Sequence, residues 1–294
     1  MADTAKVLDM IKENDAKYVD FRFTDPRGKW QHLAHHVRTI TDEFLNDGVP
    51  FDGSSIAGWK AINESDMLLV PDCSTAVLDP FAAQTSVIVF CDVHEPLTGQ
   101  PYGRDPRSIA KKAQAHLSST GIGDTAYFGP EAEFFVFDDV RYESTMQSAS
   151  YTIDAEEGPW VSAKQFPDGN TGHRPPIKGG YFPVPPVDSQ SDLRAEMLSV
   201  MHDMGLEVEK HHHEVAPSQA ELGFLYSTLV STAALTPLPV ATTQWPACNA
   251  RAATPTRAAC SAALSAKAME RSSRPASMKT SMAIPPAASP STGK

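Results

Sequence analysis

Several features that would place this protein in a membrane, outside the cell or around a structural zinc ion are missing from its sequence. The 294 residues contain no run of 18 or more apolar residues, so we expect no membrane-spanning helix. The N-terminus lacks the basic and apolar segments of a secretory signal peptide. The four cysteines, Cys73, Cys91, Cys248 and Cys260, form no C-x-x-C pair, which argues against a disulfide framework or a zinc site. These absences favour a cytoplasmic protein with reduced thiols.

Positive charge is also scarce. Lys and Arg number 25 against 36 Asp and Glu, and the formal net charge of −11 at pH 7 argues against nonspecific binding to nucleic acid. The composition, with 41% hydrophobic residues, is typical of a globular protein. An acidic chain of this kind is compatible with an enzyme that recruits metal cations locally.

Residues 231–294 lack most of what a folded core requires. Of these 64 residues, 42 are Ala, Pro, Ser or Thr, and the segment contains no Phe or Tyr. It has one acidic residue, Glu270, against seven Lys and Arg. Because so few large apolar side chains cannot compensate the entropy lost on ordering the chain, we expect this tail to be disordered.

The chain before the tail has the mixed pattern of an α+β protein. Helical spacing predicts a helix over Ala5–Glu13, and alternating apolar residues predict a hairpin that turns at Asp25–Gly28. A Pro- and Gly-rich stretch, Glu95–Arg104, is the candidate linker, and Asp105-Pro106 then begins a helix. We therefore predict three parts: an N-terminal domain over 1–104, the first part of a second domain over 105–225, and the tail over 226–294.

Two glutamates in an apolar setting are the first candidate for chemistry. Residues i and i+2 of a strand face the same side, so Glu131 and Glu133 would project together, roughly 6–7 Å apart. An E-x-E pair alone is more often a solvated strand edge. Here Phe134, Phe135 and Phe137 make the surroundings apolar, and a proton or a cation must then relieve the repulsion between the carboxylates.

A second acidic cluster surrounds three successive histidines. Glu209 and Glu214 flank the segment that contains His211–His213, and Glu221 follows. Carboxylates in such a strand are suited to hard divalent cations, which bind through oxygen. A zinc or nickel site is the alternative, although adjacent histidines on a strand face opposite sides and cannot all bind one ion. Strict alternation also places Glu209 and Glu214 on opposite faces, so a β-bulge is needed if both serve one site.

These segments together resemble type I glutamine synthetases, over about residues 1–225. A further segment, Asp52–Trp59, is by itself indistinguishable from an ordinary turn, but it belongs to the same series. The motifs that carry the resemblance occur in the order and spacing of the family: Asp52–Trp59, Gly129–Phe135, Lys178–Pro183, His211–Pro217 and Glu221–Gly223.

The resemblance implies a fold and a reaction. The fold is an N-terminal β-grasp-like domain followed by a catalytic α/β domain, which in this chain is truncated. The reaction is the ligation of ammonia to the γ-carboxylate of L-glutamate, driven by ATP through γ-glutamyl phosphate, in nitrogen assimilation. The implied cofactors are two Mg²⁺ or Mn²⁺ ions per site, and the implied assembly is a dodecamer built from copies of one chain.

The resemblance also implies roles for seven residues. Three glutamates match the ligands of one divalent metal ion, a fourth matches a ligand of the second ion, and one more matches a nucleotide-contacting position. An aspartate matches the residue that takes a proton from ammonium, with a serine nearby. In that order the residues are Glu133, Glu214 and Glu221; Glu131; Glu209; Asp52 and Ser55.

The resemblance ends shortly after Gly223, with Ser227–Val230 as the last residues that still fit. Beyond this point the family carries glutamate-binding, phosphate-binding and further metal-binding residues, and residues 231–294 match none of them. Their composition resembles a GC-rich coding strand translated in the wrong frame. We therefore expect a truncated or frame-shifted glutamine synthetase that does not make glutamine by itself.

Two alternatives stay open at this stage. A related ligase could join the γ-carboxylate of glutamate to a larger amine, although the Asp52–Ser55 segment favours ammonium. A non-catalytic protein could instead use its N-terminal domain to join an oligomer, which only the unusual tail supports.

Overall fold

The computed structural model describes residues 4–160 and 174–235. Its first part is one mixed sheet with two helices on one side. The helices and strands of this part are α1 (Thr4–Glu13), β1 (Tyr18–Thr24), β2 (Trp30–His36), α2 (Asp42–Asp47), β3 (Val49–Asp52), β4 (Asp66–Pro71), β5 (Val77–Leu78) and β6 (Ser86–His94). The strand order is β2-β1-β6-β4-β3, with β5 pairing with β6.

Strand β6 lies at the centre of this sheet because its sequence is almost continuously apolar. It pairs in parallel with β1 and antiparallel with β4, and every residue from Ser86 to Val93 is buried. A strand buried on both faces shows such a run rather than an alternation. Val7 of α1 and Leu45 of α2 complete the core against it.

The hairpin between β1 and β2 turns where the sequence predicts. The Gly28 N–H donates to the Asp25 carbonyl at 2.9 Å, and Gly28 has φ of +79°, a conformation that glycine adopts without strain. The Asp25 carboxylate also accepts hydrogen bonds from the N–H groups of Arg27 and Lys29, at 2.9 Å each. The turn predicted at Asp25–Gly28 is therefore confirmed.

Helix α3 (Pro106–Thr120) connects the first sheet to the rest of the chain. Its N-cap is Asp105, whose buried carboxylate accepts from the N–H groups of Arg107 and Ser108. Arg107 forms ion pairs with Asp72 and Asp92 of the N-terminal part. These contacts hold the start of α3 against the C-terminal ends of β4 and β6.

The second part consists of short strands and two further helices. They are β7 (Tyr127–Phe128), β8 (Glu131–Phe135), β9 (Asp139–Ser144), β10 (Ala149–Asp154), α4 (Ser191–Asp203), β11 (Val208–His213), β12 (Gln219–Phe224), β13 (Ser227–Thr228) and α5 (Leu229–Leu235). Strands β11, β12 and β8 form an antiparallel sheet in that order, while β9 pairs with β10 and β7 with β13. Helix α4 packs against β11, and α5 packs against α3.

The architecture confirms the α+β class. In the part of the chain that the structure describes, no helix is both long and apolar enough to cross a membrane. Disorder is expected for residues 231–294, but residues 231–235 belong to helix α5, so the expectation is wrong for this part. Residues 236–294 lie outside the described residues. The boundaries at residues 104 and 225 stay predictions.

Candidate metal centre

One face of the second sheet collects acidic side chains from β8 and β12 and a histidine from β11. Glu133 of β8 pairs directly with Glu221 of β12, which in turn pairs with His212 of β11. Directly paired residues of antiparallel strands project to the same side of a sheet. The antiparallel register therefore brings two carboxylates and one imidazole together from segments almost 90 residues apart.

Glu214 joins this group from just beyond the end of β11. Its N–H donates to the Gln219 carbonyl at 2.8 Å, which closes the short loop between β11 and β12. Glu214 and Glu221 are 6% and 7% exposed, and the imidazole of His212 lies between them. Its Nδ1 is 3.7 Å from Glu214 Oε1 and its Nε2 is 3.6 Å from Glu221 Oε1. Ligand atoms of these three residues all lie within 4.8 Å of one another.

Burial and the crowding of negative charge both shift pKa values in the cluster. Burial raises the pKa of Glu221 above its ordinary value, and a hydrogen bond with Glu214 and the charge of Glu131 raise it further, against the opposing effect of His212. Charge repulsion from Glu214 is also the main reason why the pKa of Tyr181 is raised, with smaller contributions from Glu133 and Glu221. A cation at this position would relieve the repulsion.

The two glutamates of β8 lie at the open side of the cluster. Glu131 and Glu133 are both exposed, and Glu133 Oε2 accepts from the amide of Gln219 at 2.9 Å. Glu131 pairs with Gly223, which lies two residues beyond Glu221 on β12 and so on the same face of the sheet. The structure thus brings together four of the seven residues that the sequence selects: Glu131, Glu133, Glu214 and Glu221.

Glu209 lies apart from this group, at the opposite end of β11 from Glu214. The register of β11 against β12 shifts between Val208 and Lys210, so Glu209 is the extra residue of an irregularity in the strand. If Glu209 and Glu214 are to serve one site, the strand between them needs a β-bulge, and the irregularity lies at this position. Glu209 is exposed, and its role in nucleotide binding stays a prediction.

Asp52 and Ser55 lie on the N-terminal sheet, at the end of β3. The Asp52 carboxylate accepts from the N–H and the hydroxyl of Ser54, at 2.8 and 2.6 Å, and from Ser55 Oγ at 3.4 Å. The hydroxyl of Ser54, followed by its N–H, holds the pKa of this exposed carboxyl below its ordinary value. The side chain is therefore held ionised at the surface.

The three histidines separate by strand alternation. His212 faces the acidic cluster, whereas His211 and His213 face α4 and the interior of the domain. Burial, and then the charge of Arg194, lower the pKa of His211. Both ring nitrogens of His213 face oxygen acceptors, the Glu214 carbonyl at 2.6 Å and Glu157 at 2.8 Å, and despite burial the pKa of His213 is raised by Glu157.

The sequence analysis missed two residues of the cluster. It assigned a ligand role to no single histidine, although alternation counted back from Glu214 selects His212. Tyr181 belongs to the recognised Lys178–Pro183 motif but received no role, and in the structure the charge of Glu214 is the largest cause of its raised pKa. Phe182 also packs edge-on against His212, with ring centroids 4.9 Å apart.

The donor set fits a divalent cation. Carboxylate oxygens dominate it, as Mg²⁺ and Mn²⁺ prefer, and the imidazole of His212 adds one nitrogen. Two of the carboxylates are buried, and the imidazole of His212 is the only basic group among the three residues of the described cluster. The fold and this cluster therefore define an α+β protein with an oxygen-rich group of side chains whose donor atoms suit a divalent cation.

Comparison with known proteins identifies the family. Residues 15–96 match the model of the glutamine synthetase β-grasp domain, and residues 103–236 match that of the glutamine synthetase catalytic domain. The chain belongs to the glutamine synthetase family.

Individual relatives agree with this assignment. A glutamine synthetase of Azospirillum brasilense is 65% identical over 232 residues, which are 79% of this chain and 50% of that relative. One of Escherichia coli (strain K12) is 55% identical over 77% of this chain and 49% of its own length. The cryo-EM structure of Plasmodium falciparum glutamine synthetase is similar with a TM-score of 0.70 at 27% identity, over 79% of this chain and 46% of that one. The chain thus spans about half the length of the curated relatives it matches.

Proposed function

We propose that the family-like part of this chain is the N-terminal half of a glutamine synthetase active site. The reaction is the ATP-dependent ligation of ammonia to the γ-carboxylate of L-glutamate through γ-glutamyl phosphate. One observation carries the proposal: Glu133, Glu214 and Glu221 meet on one sheet face in a chain whose family performs this ligation. L-glutamate, ammonium and ATP are the substrates that follow from it.

The carboxylates divide between two Mg²⁺ or Mn²⁺ sites in this proposal. Glu133, Glu214 and Glu221 hold one ion, and Glu131 contributes to the second. When bound, the ions neutralise charge on the phosphoryl group during its transfer, which needs charge stabilisation and alignment more than covalent help. The ring nitrogens of His212 lie 3.7 and 3.6 Å from oxygens of Glu214 and Glu221, close enough for the imidazole to contribute to the first site.

Asp52 and Glu209 act at the other substrates. Ammonium is unreactive until it loses a proton, so an ionised carboxylate at the surface both attracts the cation and accepts its proton. The lowered pKa and the exposure of Asp52 keep an ionised carboxylate at the surface, which suits attraction of the ammonium cation, and Ser55 lies beside it. Glu209, at the irregularity of β11, is proposed to contact the nucleotide.

Oligomerisation completes the site in this proposal. Asp52 lies on the N-terminal sheet, and its exposed segment would serve the carboxylate cluster of a neighbouring copy in a ring of identical chains, as in the dodecamers of the family. A cytoplasmic location agrees with the reaction. Because residues 231–294 contain one carboxylate and no histidine, we propose that the chain by itself does not turn over.

A hybrid chain tests the proposal. Residues 1–225 are joined to the C-terminal half of the Azospirillum brasilense relative, and glutamine formation and phosphate release are followed with glutamate, ammonium, ATP and Mg²⁺ or Mn²⁺. We expect no turnover by the natural chain, clear turnover by the hybrid, and a kcat at least about 10²-fold lower in the hybrid with Asp52→Asn, because a positioned base contributes roughly that much.

The exposed Asp47 supplies the matched control, since Asp47→Asn makes the same chemical change outside the site. A folded hybrid that is inactive, or one in which Asp52→Asn behaves as Asp47→Asn does, contradicts the proposal. Turnover by the natural chain, in a preparation free of host enzyme, contradicts the proposal that this chain is inactive by itself. Faster turnover with a larger amine than with ammonium favours the alternative ligase.

A further inference from the structure

A buried carboxylate lies beneath the acidic face of the second sheet. Glu157 is 2% exposed and His213 is 1% exposed, and the two side chains meet at 2.8 Å. Because His213 alternates with His212, this pair lies on the opposite side of β11 from the proposed metal ligands. Burying a carboxylate costs free energy unless it is fully hydrogen-bonded, so its partners indicate what it does.

Glu157 has four hydrogen-bond donors from three separate segments. Oε1 accepts from the N–H and the hydroxyl of Ser189, each at 2.9 Å. Oε2 accepts from His213 Nε2 at 2.8 Å and from the Ser218 N–H at 2.9 Å. One side chain therefore joins the segment before α4, the end of β11 and the loop that precedes β12.

The last two of these contacts hold both ends of the loop between β11 and β12, which begins with Glu214 and leads to Glu221 on β12. His213 links the first contact to Glu214, because its Nδ1 lies 2.6 Å from the Glu214 carbonyl oxygen. In the second contact, the Ser218 N–H donates to Glu157. Ser218 has a φ of +62°, a conformation that a non-glycine residue adopts only when neighbouring contacts hold it there. Glu214 is the first residue of this loop, and Glu221 follows Ser218 by three residues.

We propose that Glu157 is a positioning residue for the metal centre, acting through His213 on Glu214 and through Ser218 on Glu221. The proposal rests on the assignment of Glu214 and Glu221 as metal ligands. Partners one step removed from the ligands set the orientation of the ligands, and their loss typically lowers metal affinity by about 10–100-fold. Glu157 itself binds no metal, because it lies on the far side of β11.

Replacement by glutamine removes one acceptor with little change in shape. A glutamine has one carbonyl oxygen and one NH₂ group, which only donates. Turned one way, its NH₂ group faces the Ser218 N–H; turned the other way, it faces the Ser189 N–H. In either orientation one backbone donor loses its acceptor, and the loop between β11 and β12 loses part of its anchorage.

Mn²⁺ binding to the full chain, followed by electron paramagnetic resonance of free Mn²⁺, measures the effect. We expect Glu157→Gln to raise the Mn²⁺ dissociation constant about 10–100-fold. Ser189→Ala removes only one donor to Glu157, so it should raise the Mn²⁺ dissociation constant by a smaller factor. This variant still tests the proposal if Glu157→Gln fails to fold. Glu143→Gln, at an exposed position of β9, is the control for the chemical change and should leave the constant unaltered.

A separate control distinguishes positioning from general destabilisation. Val89→Ala removes buried volume from β6 in the first sheet, so it should lower the melting temperature without changing Mn²⁺ affinity. If Glu157→Gln changes the dissociation constant no more than Val89→Ala does, the positioning role is overturned. If Glu214→Gln also leaves Mn²⁺ binding intact, the metal-site assignment itself fails. Loss of binding in Glu214→Gln with none in Glu157→Gln overturns only the role of Glu157.

Discussion

Glu133 and Glu221 are directly paired across the antiparallel strands β8 and β12, on the face of the sheet that also presents His212. Two carboxylates in this arrangement repel each other, and like charges directly opposite on a sheet destabilise it. The chain thus keeps an unfavourable pair in its second sheet, which is understandable if a cation occupies the position between them.

Substitution of Glu221 distinguishes the destabilisation caused by its negative charge from its contribution to metal binding. Glu221→Gln removes one negative charge at nearly constant shape, so the metal-free protein should become more stable, by about 0.2–1 kcal/mol. The stabilisation that Mn²⁺ gives the wild-type protein, about 2.7 kcal/mol at 100 times the dissociation constant, should be largely lost. Thermal unfolding with EDTA and with Mn²⁺ measures both effects. A variant that is stabilised by Mn²⁺ as strongly as the wild type contradicts the assignment.

His212 should determine which cations the centre accepts. Imidazole favours nickel and zinc, whereas carboxylates suit magnesium and manganese. His212→Ala should therefore weaken Ni²⁺ binding by a larger factor than Mg²⁺ binding, as measured by calorimetric titration. The exposed His116→Ala is the control for nonspecific loss of a histidine. Equal weakening for both ions means that the imidazole does not take part in the selection.

Two glycines near the centre should respond differently to alanine. A Cβ at Gly180 would lie 2.8 Å from the Glu214 carbonyl oxygen, in the loop between β11 and β12, and 2.9 Å from Cε1 of His213, the last residue of β11. A Cβ at Gly223 would lie 2.8 Å from Lys210 Cγ, which belongs to a flexible side chain that can move away.

Gly180→Ala should consequently destabilise the protein by about 1–3 kcal/mol and weaken Mn²⁺ binding, as expected when extra atoms are forced into a packed region. Gly223→Ala should be nearly neutral for both. Urea unfolding and Mn²⁺ titration of the two variants provide the comparison. Equal effects at the two positions would show that the loop between β11 and β12 is not held closely by Gly180.

The pH dependence of stability should report an ion pair in the first sheet. His32 Nδ1 lies 2.5 Å from Asp20 Oδ1. The hydrogen bond to Asp20 raises the pKa of His32. Burial alone would raise the pKa of Asp20, but hydrogen bonds from His32 and Arg22 outweigh it and lower this pKa.

A raised histidine pKa contributes stability that is present below the unfolded value near 6.5 and is lost as the pH rises through the folded value. A lowered aspartate pKa contributes stability that is present above about 3.8 and is lost as the pH falls further. The difference in unfolding free energy between wild type and His32→Gln should therefore be largest near pH 5–6 and shrink above neutrality. His116→Gln should show no such pH dependence, and a pH-independent difference for His32→Gln contradicts the ion pair.

Local patterns were sufficient for several elements. The Asp25–Gly28 turn and the start of α3 after Asp105 depend on residues a few positions apart, which the sequence shows directly. The E-x-E spacing of Glu131 and Glu133 likewise places them on one face without further information. The motifs identified the family, since each needs only its own short segment and the order in the chain.

Long-range pairing decided the rest. That Glu133 lies opposite Glu221, and that Glu157 lies beneath Glu214, depends on strand register and on contacts between segments more than 50 residues apart in sequence. Spacing along the chain carries no information about such register. The sequence by itself thus determined which carboxylates are available and the family they belong to, whereas the tertiary structure decided which of them meet, which histidine joins them and which buried side chain holds them, because only packing fixes distances between remote segments.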